Sequence, residues 1–309
     1  MQQPQPPILL TDSIILANIT KSDILKYHTQ NPNCVLILND GRIASSGCDY
    51  IINIHNIQTL TLDFQIKEKT NSILYIHQLR NDLLVSCSED GYLHFYSISN
   101  QNYNLVSCVK SHDKAIYKVI ELQNGNLCTC SLDKTIITYD SNLKPNYIIV
   151  NEFKDMIHDI CEVKQNEICG VSSYDNFMLF YDFNLNIIKA RFKNINITPW
   201  NNCLKMIDDK FLCVFGKNEI TVFNVFKYNI VNKISTLKSD FLSCFILIQD
   251  RLITGDWNGN LKEWKIENSN IVEKTIMERA HTTGIVSMDL LQDGRIVTAS
   301  QDKTLKIWS

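Results

Sequence analysis

The 309-residue sequence has little excess charge and no long apolar run, and each absence excludes a class of protein. A net charge of −3 gives no general attraction to nucleic acids or acidic membranes, so bulk charge predicts no nucleic-acid partner. Arginine is rare, with six residues and no adjacent pair. Beyond the N-terminal segment, the longest apolar run, residues 241–248, is far too short for a membrane span.

The N-terminus lacks the basic and apolar pattern of a secretory signal. Residues 1–7, MQQPQPP, are polar and rich in proline, which predicts a short disordered tail. The eleven cysteines include no CxxC pair, which favours free thiols in a reducing compartment. We therefore expect a cytoplasmic protein without a membrane span, and a nuclear location stays open.

The organising feature is the C-terminal stretch 280–309, which contains three runs of alternating apolar residues. The first two runs are separated by a turn with Asp293 and Gly294, and Asp-Gly supplies the positive φ that a tight hairpin needs. Three short antiparallel strands cannot bury a core alone. Such a unit predicts repetition along the chain.

The unit recurs seven times at a nearly constant period. Segments similar to TASQDKTLKIWS align on one anchor position, the fifth residue, which is Asp302 in the last copy. The anchors are Asp49, Asp90, Asp133, Asp175, Lys217, Asn258 and Asp302, spaced by 41 to 44 residues. The period rather than any single copy establishes the repeat.

This pattern resembles the WD40-repeat family, whose period is about 40–45 residues. A histidine stands 21 residues before the anchor in three copies, as His28, His112 and His281. The family's closing Trp-Asp pair has counterparts at 308–309, 264–265 and 139–140. The resemblance implies an all-β fold, a seven-bladed β-propeller of four-stranded antiparallel blades, with residues 8–309 as one domain.

The last copy ends at Ser309 and leaves no sequence for a fourth strand. An apolar segment at about residues 14–27 precedes the first copy and belongs to no repeat of its own. We expect this N-terminal strand to complete the last blade and close the ring, because closure removes the open sheet edge.

The recurring polar residues look like a Ser-His-Asp constellation, but the resemblance implies a structural hydrogen-bond network that holds each blade together. No GxSxG motif is present to expose a nucleophile. The tyrosine of the third copy is expected to replace the indole N–H of tryptophan. The network residues are His281, Thr298, Ser300, Asp302 and Trp308; His112, Thr129, Ser131, Asp133 and Tyr139; and His28 with Asp49.

The family commonly binds partners on the rim formed by the turns before the third strands. The residue before each anchor faces that rim, and large aromatic residues there are typical of interaction hot spots. The alternative is that each ring packs on its neighbouring blade. The candidate partner-binding residues are Trp257, Tyr174, Trp200, Glu89, Leu132 and Gln301.

These observations favour a non-enzymatic scaffold that binds a protein or peptide, as a monomer or as a subunit of a larger complex. The alternative is a ligand-binding or catalytic propeller with a site in its central channel, where Glu121, Glu162 and Asp289 are the available acids. Cys128 and Cys130 alternate onto one strand face, but C-x-C alone is poor zinc geometry. No metal or other cofactor is predicted.

Overall fold

The computed structural model describes residues 22–68, 71–149, 152–197, 203–216, 219–236, 241–249, 251–267 and 270–308. Within these ranges the chain forms 28 β-strands in seven four-stranded sheets. Each sheet is one blade.

The first strand is β1 (Ser22–Leu25). Blade 1 has β2 (Pro32–Ile37), β3 (Ile43–Gly47), β4 (Ile51–Asn56) and β5 (Thr61–Lys67). Blade 2 has β6 (Ile73–Gln78), β7 (Leu84–Ser88), β8 (Tyr92–Ile98) and β9 (Tyr103–Lys110). Blade 3 has β10 (Ile116–Glu121), β11 (Leu127–Ser131), β12 (Ile136–Tyr139) and β13 (Pro145–Ile149). Blade 4 has β14 (Asp159–Lys164), β15 (Glu167–Ser172), β16 (Phe177–Asp182) and β17 (Ile187–Lys193).

Blade 5 has β18 (Leu204–Met206), β19 (Phe211–Phe215), β20 (Glu219–Asn224) and β21 (Asn229–Ser235). Blade 6 has β22 (Leu242–Ile248), β23 (Arg251–Asp256), β24 (Leu261–Glu267) and β25 (Asn270–Met277). Blade 7 has β26 (Ile285–Leu290), β27 (Ile296–Ser300) and β28 (Leu305–Trp308), with β1 as its fourth strand. The predicted seven-bladed architecture is confirmed.

Strands within a blade pair antiparallel, in chain order except that β1 is the outermost strand of blade 7, and we call them a, b, c and d from the centre outward. The a strands of all seven blades line a central channel, which contains a cavity of about 400 Å³. The loop before each a strand, which we call the leading loop, and the bc turns lie on one face, the rim face. The ab and cd turns lie on the opposite face.

The N-terminal strand closes the ring as predicted. β1 pairs antiparallel with β28, with Ser22 opposite Trp308 and Leu25 opposite Leu305. Only residues 22–25 of the predicted strand at 14–27 are assigned to β1, and residues 1–21 lie outside the described residues. The proposed division between a tail at 1–7 and a domain at 8–309 therefore stays a prediction.

The core lies between adjacent blades rather than inside any one of them. Ile52 and Ile54 of β4, for example, pack in one buried cluster with Ile73 and Ile76 of β6. Similar clusters lie at the other junctions, because alternate residues of a strand point to the two faces of its sheet. Burial of both sheet faces of the inner strands leaves the turns, the loops and the outermost strands exposed.

The fourth copy aligns its second strand with those of the other copies only after a one-residue slip near Asn166, and the structure shows the cause. The ab turn of blade 4 is a two-residue connection, residues 165–166, whereas that of blade 3 spans 122–126. Asn166 adopts a φ of 63° in this short turn, a conformation that asparagine tolerates well.

Among the described residues no helix is long and apolar enough to cross a membrane.

Candidate protein-interaction face

The residues before the anchors are held in the same way in five blades. Each donates its backbone N–H to the carbonyl of the leading-loop residue directly before strand a of its own blade. The bonds are Cys48 to Asn31 (2.9 Å), Glu89 to Ser72 (3.1 Å), Leu132 to Ala115 (2.9 Å), Trp257 to Phe241 (3.1 Å) and Gln301 to Gly284 (3.0 Å). The side chains of these residues therefore project from equivalent points on the rim face.

A hydrogen-bond network links the leading loop of blade 7 to its strands. Nδ1 of His281 lies 2.9 Å from Oδ2 of Asp302, and Nε2 lies 2.7 Å from Oγ1 of Thr298. The indole N–H of Trp308 donates to the same Thr298 hydroxyl at 2.9 Å. Ser300 accepts the N–H of Asp302 at 3.1 Å. Thus the network joins the leading loop, strand b, the bc turn and strand c.

Blade 3 repeats the histidine contacts. Nδ1 of His112 lies 2.9 Å from Asp133, its Nε2 lies 2.8 Å from Thr129, and Ser131 accepts the N–H of Asp133 at 3.0 Å. The hydroxyl of Tyr139 donates to the carbonyl of the leading-loop residue Ser111 at 3.1 Å. The tyrosine thus ties strand c directly to the leading loop, whereas the blade 7 indole reaches that loop through threonine and histidine.

Blade 1 has a variant of the network. His28 Nδ1 lies 3.0 Å from Asp49, and its Nε2 lies 2.8 Å from Ser45. Asn53 donates to His28 Nε2 at 3.1 Å. The position of the closing tryptophan holds His55, which is fully buried, and burial lowers its pKa to about 3. Blade 1 therefore replaces an indole with a neutral imidazole.

These networks have the properties of supports rather than of catalytic sites. The side chains of His281 and His112 have no exposed surface, and the threonines they meet are fully buried. Burial alone would raise the pKa of Asp302, but hydrogen bonds from Thr304 and His281 outweigh it and lower that pKa. An ionised Asp302 beside a buried histidine holds the leading loop in place, and no hydroxyl of this group is accessible to a substrate.

In blade 2 a carboxylate replaces the missing histidine, which the sequence analysis did not foresee. Oε1 of Glu68 accepts hydrogen bonds from the Tyr96 hydroxyl at 2.9 Å and from the Ser86 hydroxyl at 2.5 Å. Lys69, which stands 21 residues before the anchor Asp90 where other copies have histidine, lies outside the described residues. Ser86 and Tyr96 occupy the positions that Thr298 and Trp308 hold in blade 7. Because both hydroxyls need a polar partner, they were the sequence signal that could have pointed to Glu68.

Three stacked rings lie at the mouth of the channel on the rim face. The rings of Tyr117 and His158 are 5.3 Å apart, and those of His158 and Tyr174 are 5.6 Å apart, with interplanar angles of 28° and 29°. Tyr174 is 64% exposed. Burial lowers the pKa of His158 to about 4, so the middle ring is neutral at pH 7. The stack lines a cavity of about 400 Å³, which Gln301 and Cys48 also line.

The other candidate residues are distributed around this mouth. Trp257 is partly buried, and a Cβ atom placed on Gly284 of blade 7 would lie only 2.6 Å from its indole Cε3. The ring thus contacts the neighbouring blade, which is the alternative that the sequence left open. Glu89 is exposed and Leu132 is partly buried, while Trp200 lies outside the described residues.

The acidic residues of the channel wall connect neighbouring blades. Each accepts a backbone N–H from the adjacent blade: Glu121 from Arg80 (2.8 Å), Glu162 from Gln123 (2.7 Å) and Asp289 from Ile37 (2.7 Å). In addition, Lys118 pairs with Asp159 at 2.6 Å, and Asp159 accepts the N–H of Leu204 at 2.8 Å. Each of these charged groups contacts the adjacent blade, and within the described residues only Oε1 of Glu162 among their carboxylate oxygens is a buried atom without a hydrogen-bond partner. These contacts between blades weaken the case for a reactive site in the channel.

The cysteines are free thiols in the described structure. Cys128 and Cys130 are fully buried on β11, and burial raises the pKa of both, so they are protonated at neutral pH. Among the described residues no group of three or more histidine, cysteine or acidic side chains is placed to hold a metal ion. Filling space in the inner strands accounts for these two thiols.

Comparisons with known proteins agree with this architecture. Residues 273–309 match the family model "WD domain, G-beta repeat". A 105-residue segment is 30% identical to "U3 small nucleolar RNA-associated protein 12" of Saccharomyces cerevisiae, and the match covers 33% of this chain but only 10% of that protein. The solved "Structure of U3-55K" matches with a TM-score of 0.80, covering 93% of this chain and 98% of that one. At 12% identity this is a likeness of fold alone.

Proposed function

Because the chain is a WD40-repeat β-propeller, we propose that it is a non-enzymatic scaffold that binds a protein or peptide at the channel mouth of its rim face. The observation that carries this proposal is the ring stack of Tyr117, His158 and Tyr174 beside a cavity of about 400 Å³. An exposed tyrosine on a rigid support is a good anchor for a partner, because little conformational entropy is lost on binding.

The rigid support comes from the strands beneath the stack. Tyr117 lies on β10, and His158 directly precedes β14, where the Ser173 hydroxyl lies 3.2 Å from its Nδ1. The outer ring, Tyr174, belongs to the bc turn of the same blade. The two tyrosines thus come from adjacent blades and bracket a neutral imidazole, which suits an apolar or aromatic partner side chain.

We further propose that the partner belongs to a ribonucleoprotein assembly in the nucleolus rather than to a cytoplasmic complex. This proposal rests on the yeast relative, whose name associates it with U3 small nucleolar RNA. A protein partner on the rim face fits the net charge of −3, which gives no general attraction to RNA phosphates.

Site-directed photo-crosslinking in the native cell tests both proposals. A photoreactive phenylalanine analogue at position 174 should capture a discrete protein partner, whereas the same analogue at position 185 should capture no protein. Leu185 is a matched control because it is 59% exposed and lies in a cd turn of the same blade on the opposite face. Protein crosslinks from position 185 alone would contradict the rim-face assignment. Capture of partners unrelated to ribonucleoproteins would contradict the proposal that the protein works in a ribonucleoprotein assembly.

A further inference from the structure

A groove on the opposite face has a chemistry that the scaffold role does not use. It lies between blades 3 and 4, has a volume of about 370 Å³ and is lined by nine residues, none of which is charged. Its size lies within the range of small-ligand pockets, roughly 300–1,000 Å³. The lining is dominated by asparagine amides and aromatic rings.

The amides offer unused hydrogen-bonding groups. Asn124 donates to Asn166 at 3.0 Å, and this bond fixes two of the amides across the blade junction. The side chains of Asn126, Asn146 and Asn184 make no hydrogen bond to the rest of the described chain. Each amide can present a donor and an acceptor side by side.

A buried hydroxyl provides an independent observation. Thr138 of β12 lines the groove and is only 1% exposed. Its Oγ1 atom has no hydrogen-bond partner within the part of the chain that the structure describes. An unsatisfied buried hydroxyl costs free energy unless something bonds to it, so its presence in a groove wall points to a ligand.

Two rings complete the groove. Phe183 is buried and Tyr147 is 42% exposed, with their centroids 5.6 Å apart at an interplanar angle of 35°. The exposed ring can stack on a flat ligand, and stacking on aromatic side chains is a common way to hold unpaired bases.

We propose that this groove binds an unpaired nucleobase of an RNA strand, with adenine preferred. An uncharged lining does not attract phosphate, but it suits a neutral base whose edge carries donors and acceptors in alternation. Asparagine pairs with adenine through one donor and one acceptor, and the tyrosine supplies the stacking surface. The site is separate from the rim face, so its test is independent of the scaffold proposal.

The test uses the full-length protein and a fluorescein-labelled decamer of riboadenylate. Tyr147→Ala should weaken binding about five- to 150-fold, because a stacked base is worth about 1–3 kcal/mol. The matched control is Ile148→Ala, the next residue of β13, which is 54% exposed and does not line the groove. It should change binding less than twofold. Binding should also depend weakly on salt, because the groove engages no phosphates.

Thr138→Val separates a ligand contact from a structural role. Removing an unsatisfied buried hydroxyl should leave the melting temperature unchanged or raise it. The same change should weaken binding of the decamer about fivefold if the hydroxyl bonds to the base. Three results would overturn the proposal: no binding of the decamer, equal binding by the tyrosine, threonine and control variants, or displacement of the decamer by maltoheptaose, which would assign the groove to carbohydrate.

Discussion

His281 and Asp302 are separated by 21 residues in the sequence, yet Nδ1 of the histidine lies 2.9 Å from Oδ2 of the aspartate. The same sequence spacing gives the same contact between His112 and Asp133 in blade 3. Each pair ties a leading loop to a bc turn, and these two segments build the rim face. The pairs therefore position the proposed interaction surface without touching a partner.

Asp302→Ala should lower the free energy of unfolding by about 1–3 kcal/mol, because it leaves a buried histidine without its hydrogen-bond partner. The control is Asp113→Ala, an exposed aspartate of a leading loop, which should change stability by less than about 0.5 kcal/mol. Urea denaturation monitored by tryptophan fluorescence measures both. Equal losses of stability in the two variants would show that the His281–Asp302 pair contributes no more to stability than an exposed aspartate.

The repeat period was sufficient to predict the architecture. Anchors spaced by 41 to 44 residues located all seven blades, and the missing fourth strand of the last copy predicted closure by the N-terminal strand. Strand ends were less accurate, as in the two-residue turn at Asn166, because turn length depends on local backbone conformation rather than on the period.

Gly284→Ala should destabilise the protein by about 1–3 kcal/mol, because its new methyl group would lie about 2.6 Å from the Trp257 ring. In a Trp257→Ala background the same change should cost much less. A double-mutant cycle of melting temperatures measures this coupling. If the two effects simply add, the indole does not pack on the neighbouring blade, and Trp257 becomes a stronger candidate for partner binding.

Stability should fall as the pH drops from 6.5 to about 4. Burial lowers the pKa of His158 to about 4, whereas an unfolded histidine has a pKa of about 6.5. The unfolded chain therefore takes up a proton first, and the stabilisation present above pH 6.5 is lost on acidification. The slope is at most about 1.4 kcal/mol per pH unit for each such histidine.

His158→Asn should reduce the slope of the unfolding free energy against pH by the contribution of one histidine. Urea midpoints for wild type and variant at pH 7, 6 and 5 provide the comparison, and His55 should keep a residual slope in the variant because burial lowers its pKa to about 3. Identical slopes in the two proteins would mean that His158 titrates normally in the folded state.

Removal of residues 1–27 should unfold or oligomerise the protein, because it deletes β1 and leaves β28 as an open sheet edge. Removal of residues 1–7 should have no effect and serves as the control. Light scattering after gel filtration, together with melting temperature, distinguishes the outcomes. If the protein that lacks residues 1–27 is a monomer with an unchanged melting temperature, closure by β1 is contradicted.

The candidate site was less predictable than the fold. Tyr174 could be singled out because the repeat places it before an anchor, but Tyr117 on β10 and His158 just before β14 occupy positions that carry no repeat signature. Their stacking depends on how two blades lie side by side, which a single repeat does not encode. The same holds for the groove between blades 3 and 4, whose lining residues are up to about 60 positions apart.

The most direct test of the scaffold assignment is the affinity of the purified protein for the partner captured through position 174. Truncating a central aromatic anchor commonly costs about 2 kcal/mol, so Tyr174→Ala should raise the Kd about thirtyfold with little change in melting temperature. Leu185→Ala, on the opposite face, should leave the Kd within twofold of wild type. An unchanged Kd for Tyr174→Ala, or a larger loss for Leu185→Ala, would contradict recognition at the channel mouth.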